Sequence, residues 1–161
     1  MTDLLGLLQE FHHEKLTTLL RHEAGARLVG QYDANNTYQY IVNREEAQLS
    51  WVAKAIAELG GTPSKVAEAD RNVRGKAGDA APVIFEEDAR DAQAFVDRWR
   101  PRIEAMANAR HAKMLRVILG EVLEQKRFFE QALAGRTDLL GTRSEAVGPL
   151  VGHVLATRWI E

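Results

Sequence analysis

The chain has no cysteine. That excludes disulfides, thiolate nucleophiles and Cys-ligated zinc or iron–sulfur centres, and it suits a reducing cytoplasm. An excess of one charge is also missing. The formal net charge is -2, so there is no global pull toward nucleic acid or an anionic membrane. The basic run Arg98, Arg100, Arg102 reads as a solvated helix face. No apolar stretch approaches the ~20 residues a membrane span requires. The first residues, MTDLLGLLQEFHHEKL, have an Asp ahead of their short apolar run and no basic segment, unlike a secretory leader. No G-x-S-x-G occurs, and the stretches at Gly60–Lys65 and Arg74–Gly78 lack the spacing of a phosphate loop. The expectation is a soluble cytoplasmic protein with neither nucleic acid nor membrane as partner.

What is present is helical periodicity. At 161 residues, 45% hydrophobic and 27% charged, the chain suits one globular domain with a sizeable core. Val83-Ile84-Phe85 is too short for a strand and runs directly into a helix. A first helix is expected over residues 3 to about 24, capped by Thr2 or Asp3, with its best stripe at Leu5, Leu8, His12, Leu16, Leu19 and Glu23. Asp33-Ala34-Asn35-Asn36 starts a second helix, and Gly60-Gly61 followed by Thr62-Pro63 stops it. A long connection over 61–85 follows. The third helix, from near Glu86, has the uninterrupted stripe Phe85, Ala89, Ala92, Val96, Trp99, Ile103, Met106. Pro101 kinks it or begins a new helix, and the kinked form ending near Ala107 is favoured, with Asn108 as the turn. The fourth helix, from about Ala109, carries His111, Leu115, Ile118, Val122, Gln125, Phe129 and Ala132, and Gly135 closes it. Residues 1–135 form the expected bundle. Residues 136–161 form an appendage whose Leu150, Val151, Val154, Leu155 and Trp159 share a helical face and dock on the bundle or on a second subunit.

The second helix holds the anomaly. Its stripe is Tyr38, Val42, Glu45, Leu49, Val52, Ile56, Leu59, and Glu45 is a carboxylate on a face otherwise made to be buried. A buried carboxylate needs a partner, a metal or a proton. Glu45-Glu46-Ala47-Gln48 has the i, i+3 spacing of a Glu-x-x-His ligand pair, with glutamine at the histidine position. In the fourth helix, GEVLEQKRFFEQAL supplies Glu121, Glu124 and Gln125. Glu14 of the first helix lies near the depth of Glu45.

Two hairpins joined by a long crossover, together with these degenerate motifs, resemble the ferritin-like superfamily of ferritin and rubrerythrin. The resemblance covers about residues 1–135. It implies an all-α, up-down-down-up four-helix bundle with a short C-terminal helix. It further implies iron or another divalent metal held by Glu45 and Glu121, with Glu14 and Glu124 beside them and Gln48 and Gln125 as weak ligands, and an oxidoreductase acting on oxygen or peroxide. Amide oxygens are poorer ligands than imidazole. The alternative is a metal-free bundle, a binding or oligomerisation module in which Glu45 bonds to Gln48, Gln125 or a tyrosine. The histidines at 12, 13, 22, 111 and 153 read as surface or capping groups. Trp51, Trp99, Tyr38 and Tyr40 read as core, with an aromatic pocket as the rival. Long amphipathic helices with an apolar tail suggest a homodimer.

Overall fold

The computed structural model describes residues 3–66, 69–71, 80–136 and 139–140. Four helices make up the architecture: α1 (Leu4–Leu28), α2 (Tyr32–Glu58), α3 (Ala80–Glu104) and α4 (Ala109–Leu133). They run up-down-down-up, as expected, with the crossover spanning the gap between α2 and α3. The hairpins α1/α2 and α3/α4 pack most closely, and α2 against α4 and α1 against α3 complete the bundle. No helix among the described residues is long and apolar enough to cross a membrane. The apolar tail and the expected short C-terminal helix lie outside the described residues.

Local chemistry sets the helix ends. The Asp3 carboxylate accepts from the Leu5 amide at 3.1 Å and caps α1. The Gln31 side chain accepts from the Ala34 amide at 2.6 Å and caps α2 two residues before the expected cluster. Gly60 takes a left-handed φ of 81°. There the Gly61 amide donates to the Ile56 carbonyl and the Gly60 amide to that of Ala57, a Schellman ending. Gly135, with φ 90°, ends α4 in the same way through the Arg136 and Gly135 amides. Asn108 accepts from the His111 amide at 3.0 Å and caps α4.

Two boundaries differ from expectation. α3 begins at Ala80, earlier than Glu86, because Pro82 sits in the first turn, where its missing N–H removes no helical bond. It continues through Pro101 to Glu104, so the proline falls in the last turn and does not split the helix. α1 passes Gly25 and ends at Leu28. Gly25 is buried inside the helix. A Cβ there would lie 2.7 Å from Arg71 Nη1 and 3.2 Å from Ile84, so the glycine makes room for a crossover side chain.

The core falls into two main apolar clusters. One holds Leu8, Phe11, Ile56, Phe95, Trp99 and Leu115 with their neighbours. The other holds Tyr38, Ile41, Ile84, Phe85, Phe129 and Leu139. The stripes read from α3 and α4 are buried almost throughout. The stripe read from α1 is rotated: Phe11, Lys15, His22 and Ala26 face inward beside Leu8, His12 and Leu19. Gly25→Ala is expected to displace the Arg71 guanidinium and to lower stability by about 1–3 kcal/mol, the cost of stranding a buried polar partner. Urea unfolding midpoints check this.

Candidate functional site

Between the two apolar clusters lies a layer of buried polar side chains: Lys15 and His22 from α1, Glu45 and Gln48 from α2, Asp88 from α3 and Gln125 from α4. Glu45 is fully buried and Lys15 is 1% exposed. Lys15 Nζ donates to Glu45 Oε2 at 2.9 Å. His22 Nδ1 forms a short hydrogen bond with the other carboxylate oxygen, Oε1. Both oxygens of Glu45 are thus occupied by nitrogen. Tyr38 and Phe129 wall the imidazole, with ring centroids 6.0 and 5.3 Å away. Burial alone pushes the Glu45 carboxyl up. His22 and then Lys15 outweigh it and hold it below the ordinary glutamate range.

This geometry corrects the metal reading. The partner of Glu45 is an ammonium and an imidazole, neither iron nor another divalent cation, and neither Gln48, Gln125 nor a tyrosine. Glu121 turns to α2, where Arg44 holds Oε1 and the Gln48 amide holds Oε2. Glu14 lies on the outside of α1, accepting from Arg98 Nη2 and Trp99 Nε1, each at 2.8 Å. Glu124 is exposed and pairs with Arg127 one turn along. Gln125 is buried, but its carboxylate neighbours face elsewhere. Among the described residues no group of three or more His, Cys, Asp or Glu side chains is placed to hold a metal ion. With no such group, the di-iron oxidoreductase and its metal cofactor have no seat in this core.

A second buried ion pair flanks the first, and sequence reading missed it. Asp88 is 1% exposed although it lies beside the apolar stripe of α3. Tyr38 donates its hydroxyl to Asp88 Oδ2 at 2.5 Å. Arg71 reaches in from the crossover, with Nη2 2.8 Å from Asp88 Oδ1 and Nη1 donating to the Arg21 carbonyl at 3.0 Å. One guanidinium therefore ties the crossover to α1 and α3. Burial and then the Asp88 carboxylate push the Tyr38 phenol far above its ordinary range, so it stays a neutral donor. His22, expected near the surface, is buried, and so are His12 and His111. Of the four aromatics, Tyr38 and Trp99 are core, whereas Tyr40 and Trp51 are exposed. The signals for Lys15 and Asp88 were their register positions, one turn from Phe11 and Leu19 and from Ile84 and Ala92.

Two clefts among the described residues open away from this layer. A cleft of about 440 Å³ lies at one end, lined by Leu4, Leu7, Arg102, Met106 and Asn108. Another, of about 380 Å³, runs along α1 and α3 past His13, Glu14, Asp91 and Arg98. Neither is lined by Glu45, Lys15 or His22. Compensated charges with little access to solvent hold helices in register. No family model matches the chain, and no curated protein or solved structure matches it.

Glu45→Ala leaves an ammonium and an imidazole buried without their acceptor, and is expected to cost about 3–5 kcal/mol. The triple variant Lys15→Met, His22→Phe, Glu45→Leu should recover most of that loss, since apolar side chains of similar volume remove the desolvation cost as well as the attraction. The depressed carboxyl also gives an acid signature. Its contribution is fully present above the unfolded pKa of ~4.3 and is lost as pH falls through the lower folded value. The triple variant should therefore show a shallower fall in urea midpoint below about pH 4 than the wild type.

Proposed function

We propose that this chain is a metal-free helical bundle that works as a binding or oligomerisation module, related in architecture to the ferritin-like superfamily. The observation that carries the reading is the Lys15–Glu45–His22 cluster. Its ammonium and imidazole take both oxygens of the carboxylate that a di-metal bundle would turn toward metal. Up-down-down-up helix order, with a crossover between α2 and α3, supports the architectural kinship. Residues 1–135 form the bundle and 136–161 an appendage. The self-associating form is a homodimer, supported by exposed aromatic side chains on α2, Tyr40 and Trp51.

Elemental analysis of protein purified without chelator tests the proposal. The expected result is less than a tenth of an equivalent of iron, manganese or zinc, unchanged in Glu45→Ala. One or two equivalents that disappear in Glu45→Ala would overturn it.

A further inference from the structure

We infer that the outer face of α2 and α4 docks a second copy of this chain, with the two-fold axis passing beside Ala47. The inference deepens the module reading and rests on it. α2 carries a second stripe besides its core stripe: Tyr40, Arg44, Ala47, Trp51, Lys54, Glu58. The steps of four and three keep these side chains on one face for ~27 Å. Tyr40 is 45% exposed and Trp51 38%. Both are held in place: Tyr40 packs edge-on against Phe128 at 6.2 Å, and Trp51 lies under the Arg44 guanidinium at 5.7 Å, which Glu121 anchors. Rigid Tyr, Trp and Arg side chains are the residues that carry most binding energy at interfaces. Across the groove on α4, Val117 is 49% exposed. One turn on, Gly120 sits in the helix interior, where an added Cβ would meet nothing within 4 Å. Glycine there costs about 1 kcal/mol relative to alanine, and packing among the described residues supplies no reason for it. Close approach of another backbone supplies one.

Charge selects the occupant and the register. The face bears Arg44, Lys54 and Arg110 against Glu58 and Glu121, with Arg110 and Glu58 3.7 Å apart. Mixed signs suit a self-complementary contact better than a polyanion. With antiparallel α2 helices crossing at Ala47, Lys54 of one copy faces Tyr40 of the other, and Arg44 falls within one residue of Trp51. Each cation meets an aromatic ring. Moving the axis to residue 49 would set Arg44 against Lys54, two like charges, so that register is disfavoured. Ala47 is small enough for the helix axes to approach to about 8 Å. Two helix faces of this length bury on the order of 500–800 Å² per copy, the lower end for a specific interface. A concentration-dependent dimer follows.

The absence of cysteine makes the test clean. In the full chain, Ala47→Cys introduces the sole thiol, and a two-fold axis there brings the paired Cα atoms within the roughly 4–7 Å that a disulfide spans. Mild oxidant should give a reducible covalent dimer at least ten times faster than with Ala94→Cys, an exposed position on α3. In sedimentation equilibrium the wild type should dimerise, and Ala47→Arg should weaken the dimer at least tenfold with its circular dichroism unchanged, whereas Ala94→Arg should not. If Ala47→Arg fails to fold, the crosslinking rates decide. A wild type that stays monomeric overturns the inference. So does a dimer indifferent to Ala47→Arg, but that result leaves the module reading standing. Stoichiometric core metal would overturn the module reading and leave the dimer face intact.

Discussion

A carboxylate with no access to water must have its charge answered inside the protein, and the bundle is built around how Glu45 meets that requirement. Lys15 and His22 approach it from α1, across the hairpin. Taking ions out of water costs several kcal/mol each, and the attraction repays this only when geometry and hydrogen bonding are both good. Here both carboxylate oxygens are used. Net stabilities of domains lie near 5–15 kcal/mol, so losing one partner of such a set removes a large share of the total. The layer therefore acts as an all-or-none condition on folding more than as a source of stability.

Asp88 extends the same logic to the crossover. Its two oxygens take Tyr38 from α2 and Arg71 from the connecting segment. Arg71 also caps a carbonyl of α1 and approaches Glu87 at 3.3 Å. Parallel and antiparallel pairings of four similar helices differ little in apolar burial. Charges that fit one arrangement separate them, because a slipped or swapped helix leaves an ion unpaired. The space beside Gly25 belongs to this device, since the α1 backbone must leave a channel for the guanidinium.

The helical class, the two hairpins, the glycine stops and the inward direction of Glu45 were all legible, because each is written in local periodicity or local turn chemistry. The partners of Glu45 were not. A lysine one turn from Phe11 lowers the apolar score of the face it occupies, so the stripe chosen for α1 passed over Lys15 for Leu16. Asp88 was hidden in the same way beside Phe85 and Ala89. A carboxylate on an apolar face is equally consistent with metal and with a cation from a neighbouring helix, and only tertiary pairing distinguishes them. Gln48 and Gln125 gave a usable hint. Amides at both positions where imidazoles would bind metal suit hydrogen-bonding roles, and the Gln48 amide does donate to Glu121. Its own carbonyl oxygen, Arg71 Nε and the Nδ1 atoms of His12 and His111 have no protein partner among the described residues.

The buried charges of the described core are paired with one another. The side chains that solvent reaches are unevenly distributed over the described surface. The α1/α3 side is fastened by Arg98–Glu14 and Arg102–Glu10 bridges, and Trp99 is buried behind them with its indole N–H on Glu14. On the α2/α4 side the corresponding aromatics, Tyr40 and Trp51, remain outside. Arg44–Glu121 and Arg110–Glu58 bridges join α2 to α4 there, but the aromatics lie in front of them and not behind. Exposed aromatics anchored by packing lose little entropy when they are covered, and the two flanks differ in that respect.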